Sequence, residues 1–176
     1  AVNADGYQSC VDSRWHQVAF VVNRAGNATL YVDNVAIKTV DISALDGTFG
    51  SGNLIFGADG LGQYGMMKGE FDEIRIYGIA LEESRIQELY YINALNKLNN
   101  DISVYVNSDK ASLYKADTIA AMKAELAESQ TFVNDYEVGG LDAISAQYTA
   151  LEANYNEFLN KDIKGTAAYG SDVHIS

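Results

Sequence analysis

This 176-residue chain is predicted to fold as an antiparallel β-sandwich of jelly-roll type, incomplete at its N-terminal side, followed by an antiparallel three-helix bundle. Residues 15–40 alternate apolar and polar positions with the two-residue period of half-buried strands. Residues 86–158 instead space their apolar side chains three and four apart, as amphipathic helices do. The stretch between them, Gly-Glu-Phe-Asp-Glu-Ile-Arg-Ile-Tyr-Gly-Ile-Ala-Leu at 69–81, passes from the first period to the second at Gly78. The expected organisation is therefore a sandwich over 1–80, a bundle over 81–161 and a linker over 162–176.

The first strand is expected over 15–23, where His16, Val18, Phe20 and Val22 oppose Trp15, Gln17, Ala19 and Val21. Arg24 to Asn27 supplies a turn. Leu30 and Val32 then oppose Thr29, Tyr31 and Asp33 in a second strand, and Asp33-Asn34 forms a tight turn into a third containing Val35, Ile37 and Val40. A glycine-rich stretch follows, with the short apolar run Leu54-Ile55-Phe56 before Gly57, Gly60, Gly62 and Gly65. In the last expected strand Asp72, Ile74 and Ile76 share one face, and Glu73, Arg75 and Tyr77 the other. That makes about five strands, where a closed two-sheet jelly roll has around eight. The missing strands are expected from an upstream segment of the same precursor.

The acidic pair Glu82-Glu83 suits a helix start, and Ile86, Leu89, Leu95, Leu98, Ile102 and Tyr105 carry the helical spacing onward, with Asn99-Asn100 as a candidate interruption. Ile119, Met122, Leu126 and Val133 make a second helix after Tyr114. Gly139-Gly140 breaks it, and Leu141, Ile144, Tyr148, Leu151, Tyr155 and Phe158 make a third. Short connections between such helices predict an antiparallel bundle.

Twenty-four acidic residues against 12 basic ones leave a formal net charge of −12. Residues 1–80 hold 5 Lys/Arg and 9 Asp/Glu, and residues 81–176 hold 7 and 15, so the charge is −4 and −8 respectively. Such a surface repels a phosphate backbone, and nucleic acid is not an expected partner. The single cysteine, Cys10, allows neither an internal disulfide nor a multi-thiolate metal site. No run approaches the roughly 20 apolar residues that span a bilayer.

The blocks Trp15-His-Gln-Val-Ala, Leu30-Tyr-Val-Asp-Asn, Leu54-Ile-Phe-Gly and 69–81 together resemble the laminin G-like family of the concanavalin A-like lectin and glucanase superfamily. The resemblance covers residues 15–81 and implies a sandwich that binds glycan. In the second half, Tyr114-x-x-Asp117-Thr118, Met122-x-x-x-Leu126 and the helix ending at Leu159 resemble the FIVAR helical modules of Gram-positive surface proteins and secreted glycan-processing enzymes. Together these imply a secreted or cell-wall-attached, multimodular bacterial protein.

Among candidate site residues, Asp72 is expected to point inward with Ile74 and Ile76, which requires either a cation or backbone N–H donors. Some sandwiches of the resembled superfamily hold a structural Ca²⁺ near such an aspartate, so Asp72 is the metal candidate and Ca²⁺ the implied cofactor. Tyr64, in the glycine-rich stretch, is the candidate face for stacking on a sugar ring, with Asp59 and Gln63 as hydrogen-bonding partners for its hydroxyls. Trp15 is expected to pack in the core. Glu70, Asp72 and Glu73 cluster, and Glu70-x-Asp72 resembles the start of the Glu-x-Asp-x-x-Glu motif of some glucanases in that superfamily; Arg75 stands where the motif has its second Glu, and glycoside hydrolysis needs two facing carboxylates. The chain itself is therefore expected to be non-catalytic: either a glycan-binding accessory module, a spacer, or a segment supporting the catalytic domain of a glycoside hydrolase.

Overall fold

A computed structural model describes residues 12–45, 54–58 and 67–161. Its contacts divide the chain into two compact units, Ala1–Leu81 and Glu82–Ser176.

In the first unit β1 (Val18–Val22), β2 (Asn27–Val32) and β3 (Val35–Asp41) form an open antiparallel sheet in the order β1-β2-β3. The β2–β3 turn shows why Asp33-Asn34 directs the chain back. Both residues take left-handed φ values, 47° and 64°, which the right-handed twist of a two-residue hairpin favours and which Asp and Asn tolerate best after glycine. At the other hairpin, Gly26 N donates to Asn23 O at 3.0 Å and Asn23 N to Asn27 O at 2.9 Å.

Register places Val18 opposite Val32 and Val32 opposite Val35, with Phe20 opposite Leu30 and Ala28 between Val22 and Val40. Cross-strand partners share a face, so these residues make one apolar side of the sheet. A bulge in the β2–β3 pairing at Leu30/Tyr31 interrupts the ladder once. Ala28, Tyr31 and Val32 on the central strand are buried, whereas Val18, Phe20 and Val35 on the edge strands are exposed. The sandwich is incomplete among the described residues.

Two expected strands do not form. Leu54, Ile55 and Phe56 join no ladder, and the stretch 70–77 has no sheet pairing. In the second case a local feature adds to the lack of a partner strand among the described residues. Glu73 adopts φ 52°, which breaks the alternation that would hold Asp72, Ile74 and Ile76 over a core. All three are exposed, Ile76 at 72%. Asp72 therefore does not point into a core, and that expectation is corrected.

The second unit contains α1 (Glu83–Val106), α2 (Ala116–Asn134) and α3 (Leu141–Leu159), with a 3₁₀ turn at Asp109–Leu113. All three helices pack on one another. Leu95, Ile102, Met122, Leu126, Ile144 and Leu151 form the centre of their core, and each large aliphatic side chain so buried contributes about 1.5–3 kcal/mol. At one end Tyr114 stacks on Phe158 with centroids 4.6 Å apart, while Tyr105 meets both rings edge-on. Helix α1 runs through Asn99-Asn100 without interruption. The asparagine pair lowers helix propensity by only a few tenths of a kcal/mol per residue, and the fully buried Leu95 and Ile102 on either side hold the helix in place.

The α2–α3 connection is tied back to α1 through Glu88. This carboxylate is 2% exposed. It accepts from Tyr136 Oη and the Gly139 backbone N–H and pairs with Arg85. Gly139 sits at φ 104°, a conformation that glycine adopts without penalty.

Candidate functional site

The polar corner of the first unit forms where β1 begins and β2 ends. Because Val18 pairs with Val32, the residues just outside the ladder, His16 and Gln17 on one strand and Asp33 on the other, are brought together. Asp33 N donates to Gln17 O at 2.9 Å, and Gln17 N donates to Asp33 Oδ1 at 3.0 Å. His16 Nδ1 lies 2.7 Å from Asp33 Oδ2, and His16 Nε2 lies 2.9 Å from Asp12 Oδ1. Ser13, at φ 64°, turns the chain so that Arg14 also reaches Asp12, its N donating to Oδ1 at 3.0 Å and its Nε to Oδ2 at 2.5 Å.

These contacts set the charge state of the corner. Hydrogen bonds from the His16 ring to Asp12, then to Asp33, raise its pKa above the ordinary imidazole value, with burial opposing them. The Asp12 carboxyl is held well below the usual carboxylate range, chiefly by His16. Each ring nitrogen of His16 thus has a carboxyl partner, an arrangement that favours the protonated imidazole.

Beside this network stands Trp15, 55% exposed. The expectation of a core position for it is not met. An exposed indole, next in sequence to His16, offers a stacking face to a ring with one CH-rich side. Sequence reasoning missed this corner, although hairpin geometry could have revealed it: a residue just before the first strand and one just after the second must meet when the strands pair antiparallel.

Tyr64, Asp59 and Gln63 lie outside the described residues. The two ends of their stretch are visible: Met67 N donates to Gly57 O at 2.7 Å, and the Phe56 and Phe71 rings meet edge-on at 6.3 Å. Gly57 has φ 75°, and a Cβ there would come within 3.0 Å of the Phe71 ring, so the neck requires glycine.

Asp72 Oδ1 accepts from Glu73 N at 2.8 Å, and Glu73 pairs with Arg75 at 2.5 Å. The backbone donor foreseen as the alternative to a cation is thus present, though on an exposed segment. Among the described residues, no group of three or more His, Cys, Asp or Glu side chains is placed to hold a metal ion. Glu70, Asp72 and Glu73 are each exposed. No helix among the described residues is long and apolar enough to cross a membrane.

No curated protein and no solved structure matches the chain. Residues 2–87 match a laminin G family model described as the concanavalin A-like lectin/glucanases superfamily, so the β-rich half is similar to the family its four sequence blocks resemble.

Proposed function

We propose that the first unit is a non-catalytic carbohydrate-binding module of a secreted, multimodular bacterial protein that processes or adheres to glycans, and that the FIVAR-like helical unit accompanies it. The observation that carries this reading is the family match over residues 2–87, and it is supported by the exposure of Trp15, next in sequence to His16 of the Asp12–His16–Asp33 network. The exposed indole supplies stacking area, and the exposed Arg14 beside it in sequence supplies a donor. Tyr64, Asp59 and Gln63 belong to the same proposal as contacts from the glycine-rich stretch. Shallow sites of this kind bind weakly, with Kd roughly millimolar for a short sugar, and act by keeping a neighbouring module near its substrate.

Glycan-array screening followed by calorimetry on the whole chain tests the proposal. A saturable ligand whose binding is lost in Trp15→Ala and weakened in Tyr64→Ala supports it. Silence across a broad panel favours a spacer.

A second reading draws on a different observation. Val18 and Phe20 on β1, with Ile74, Ile76 and Ile79, leave apolar side chains exposed, as a segment docked on the catalytic domain of a glycoside hydrolase, or completed by further strands of the same precursor, would do. A structural Ca²⁺ at Asp72 would draw its remaining oxygen ligands from outside the described residues. Its signature is a melting temperature of the first unit raised by calcium chloride in the native chain but not in Asp72→Asn.

A further inference from the structure

Both nitrogens of the His16 imidazole face carboxyl oxygens: Nδ1 lies 2.7 Å from Asp33 Oδ2 and Nε2 lies 2.9 Å from Asp12 Oδ1. The side chain is only 10% exposed, so water does not readily take the place of either partner. An ionised carboxylate only accepts, and a neutral imidazole carries a single N–H. The protonated ring therefore serves both partners, whereas the neutral ring serves one and turns a lone pair toward the other. That conclusion follows from the count of hydrogens alone.

The two contacts are not equally anchored. Asp33 is joined to β1 independently of the ring, its N donating to Gln17 O at 2.9 Å and its Oδ1 accepting from Gln17 N at 3.0 Å. The other bonds of Asp12 go to Arg14 N and Nε, inside its own segment. Among the described residues, the His16 contact is thus what ties Asp12 to the strands. Ser13, at φ 64°, holds a left-handed conformation that is unfavourable for most residues with a side chain. Release of Asp12 lets Ser13 relax while Arg14 keeps the freed carboxylate paired. The ionisable groups facing the ring, among the described residues, are Asp12 from its own segment and Asp33 from the end of β2, with Arg14 beyond Asp12.

We infer that His16 is a proton-operated clasp: charged, it holds the segment Asp12–Trp15 against the end of β2; neutral, it keeps Asp33 and lets Asp12 go. The raised pKa of the ring and the lowered one of Asp12 agree in direction. The clasp is closed below the ordinary imidazole value of about 6.5 and opens as pH rises through the higher folded one. Trp15 lies inside the clasped segment, so the proton sets the freedom of the backbone that carries the exposed indole. The device is independent of what Trp15 binds.

The test is ¹³C-detected NMR of the full chain from about pH 5 to about pH 9, with His174→Gln used to assign the ring signals of His16. The His16 ring is expected to titrate above about 6.5. Ser13 Cα and Cβ are expected to move with the same midpoint, from left-handed toward negative-φ shifts, while the Gln17 and Asp33 backbone signals stay in place. Asp12→Ala is expected to lower the ring midpoint and abolish the Ser13 step; the native titration decides the question even if that variant loses the sheet. Ser13 signals that stay constant while the ring titrates, a ring midpoint at or below about 6.5, or a Gln17 and Asp33 backbone that moves as far as Ser13 would overturn the inference.

Discussion

His16 illustrates how one side chain ties two sequence blocks together. It sits in Trp-His and bonds to the Asp33 of Val-Asp-Asn, 17 positions later. Its raised pKa has a definite consequence for stability. The protonated form is the one favoured in the fold, so its contribution is fully present below the unfolded imidazole value of about 6.5 and is lost as pH rises through the higher folded value. Asp12, held low, acts in the opposite direction. It stabilises above the ordinary carboxylate value of about 3.9, and its contribution is lost as pH falls through the lower folded one. Between those limits, with Asp33 and Arg14 as the other charges at the corner, the first unit is expected to be most resistant to denaturant. His16→Asn should cost roughly 1–2 kcal/mol near pH 5.5 and much less near pH 9, as measured by urea unfolding followed through Trp15 fluorescence.

At the level of the elements, Glu88 holds the α2–α3 connection onto α1. Burial pushes its carboxyl upward, but hydrogen bonds from Tyr136, Arg85 and Gly139 outweigh burial, and the group sits below its ordinary value. The same contact, together with burial, moves the Tyr136 hydroxyl up to about 12. The bundle is thus stabilised by Glu88 above the unfolded carboxylate value, and that contribution declines as pH falls through the folded one. Glu88→Ala strands Arg85 and the Tyr136 hydroxyl and is expected to destabilise the bundle by about 3 kcal/mol, read from the helical signal in thermal or urea unfolding. Much of the architecture at this scale was legible beforehand. The hairpin turns were marked by Asp33-Asn34 and by the polar run 24–27, and the three helices by apolar spacing. The strand expected over 72–77 was not, because alternation reports which side chains could share a face but not whether a partner strand is present to hold them. Asn99-Asn100 reads as a candidate interruption of a continuing helix because propensity is a local quantity, whereas the Leu95 and Ile102 packing that carries the helix through is tertiary.

For the molecule as a whole, two units with different architectures lie on one acidic chain of net charge −12. The motif blocks made the β-rich half recognisable, and the family match over residues 2–87 agrees with them. The binding surfaces were harder to find. Tyr64, Asp59 and Gln63 are candidates because loops carry function, whereas the corner that the structure brings together depends on strand register. It emerges from the sequence only once the first two strands are paired, so that His16 and Asp33 meet.

The most direct test of the glycan-binding account is isothermal calorimetry of the whole chain against the best ligand from a glycan array, native beside Trp15→Ala. The account predicts saturable binding in the native chain and its loss in the variant, with the β-sheet circular dichroism of the two unchanged. Equal binding by both, or binding by neither across the array, would contradict it.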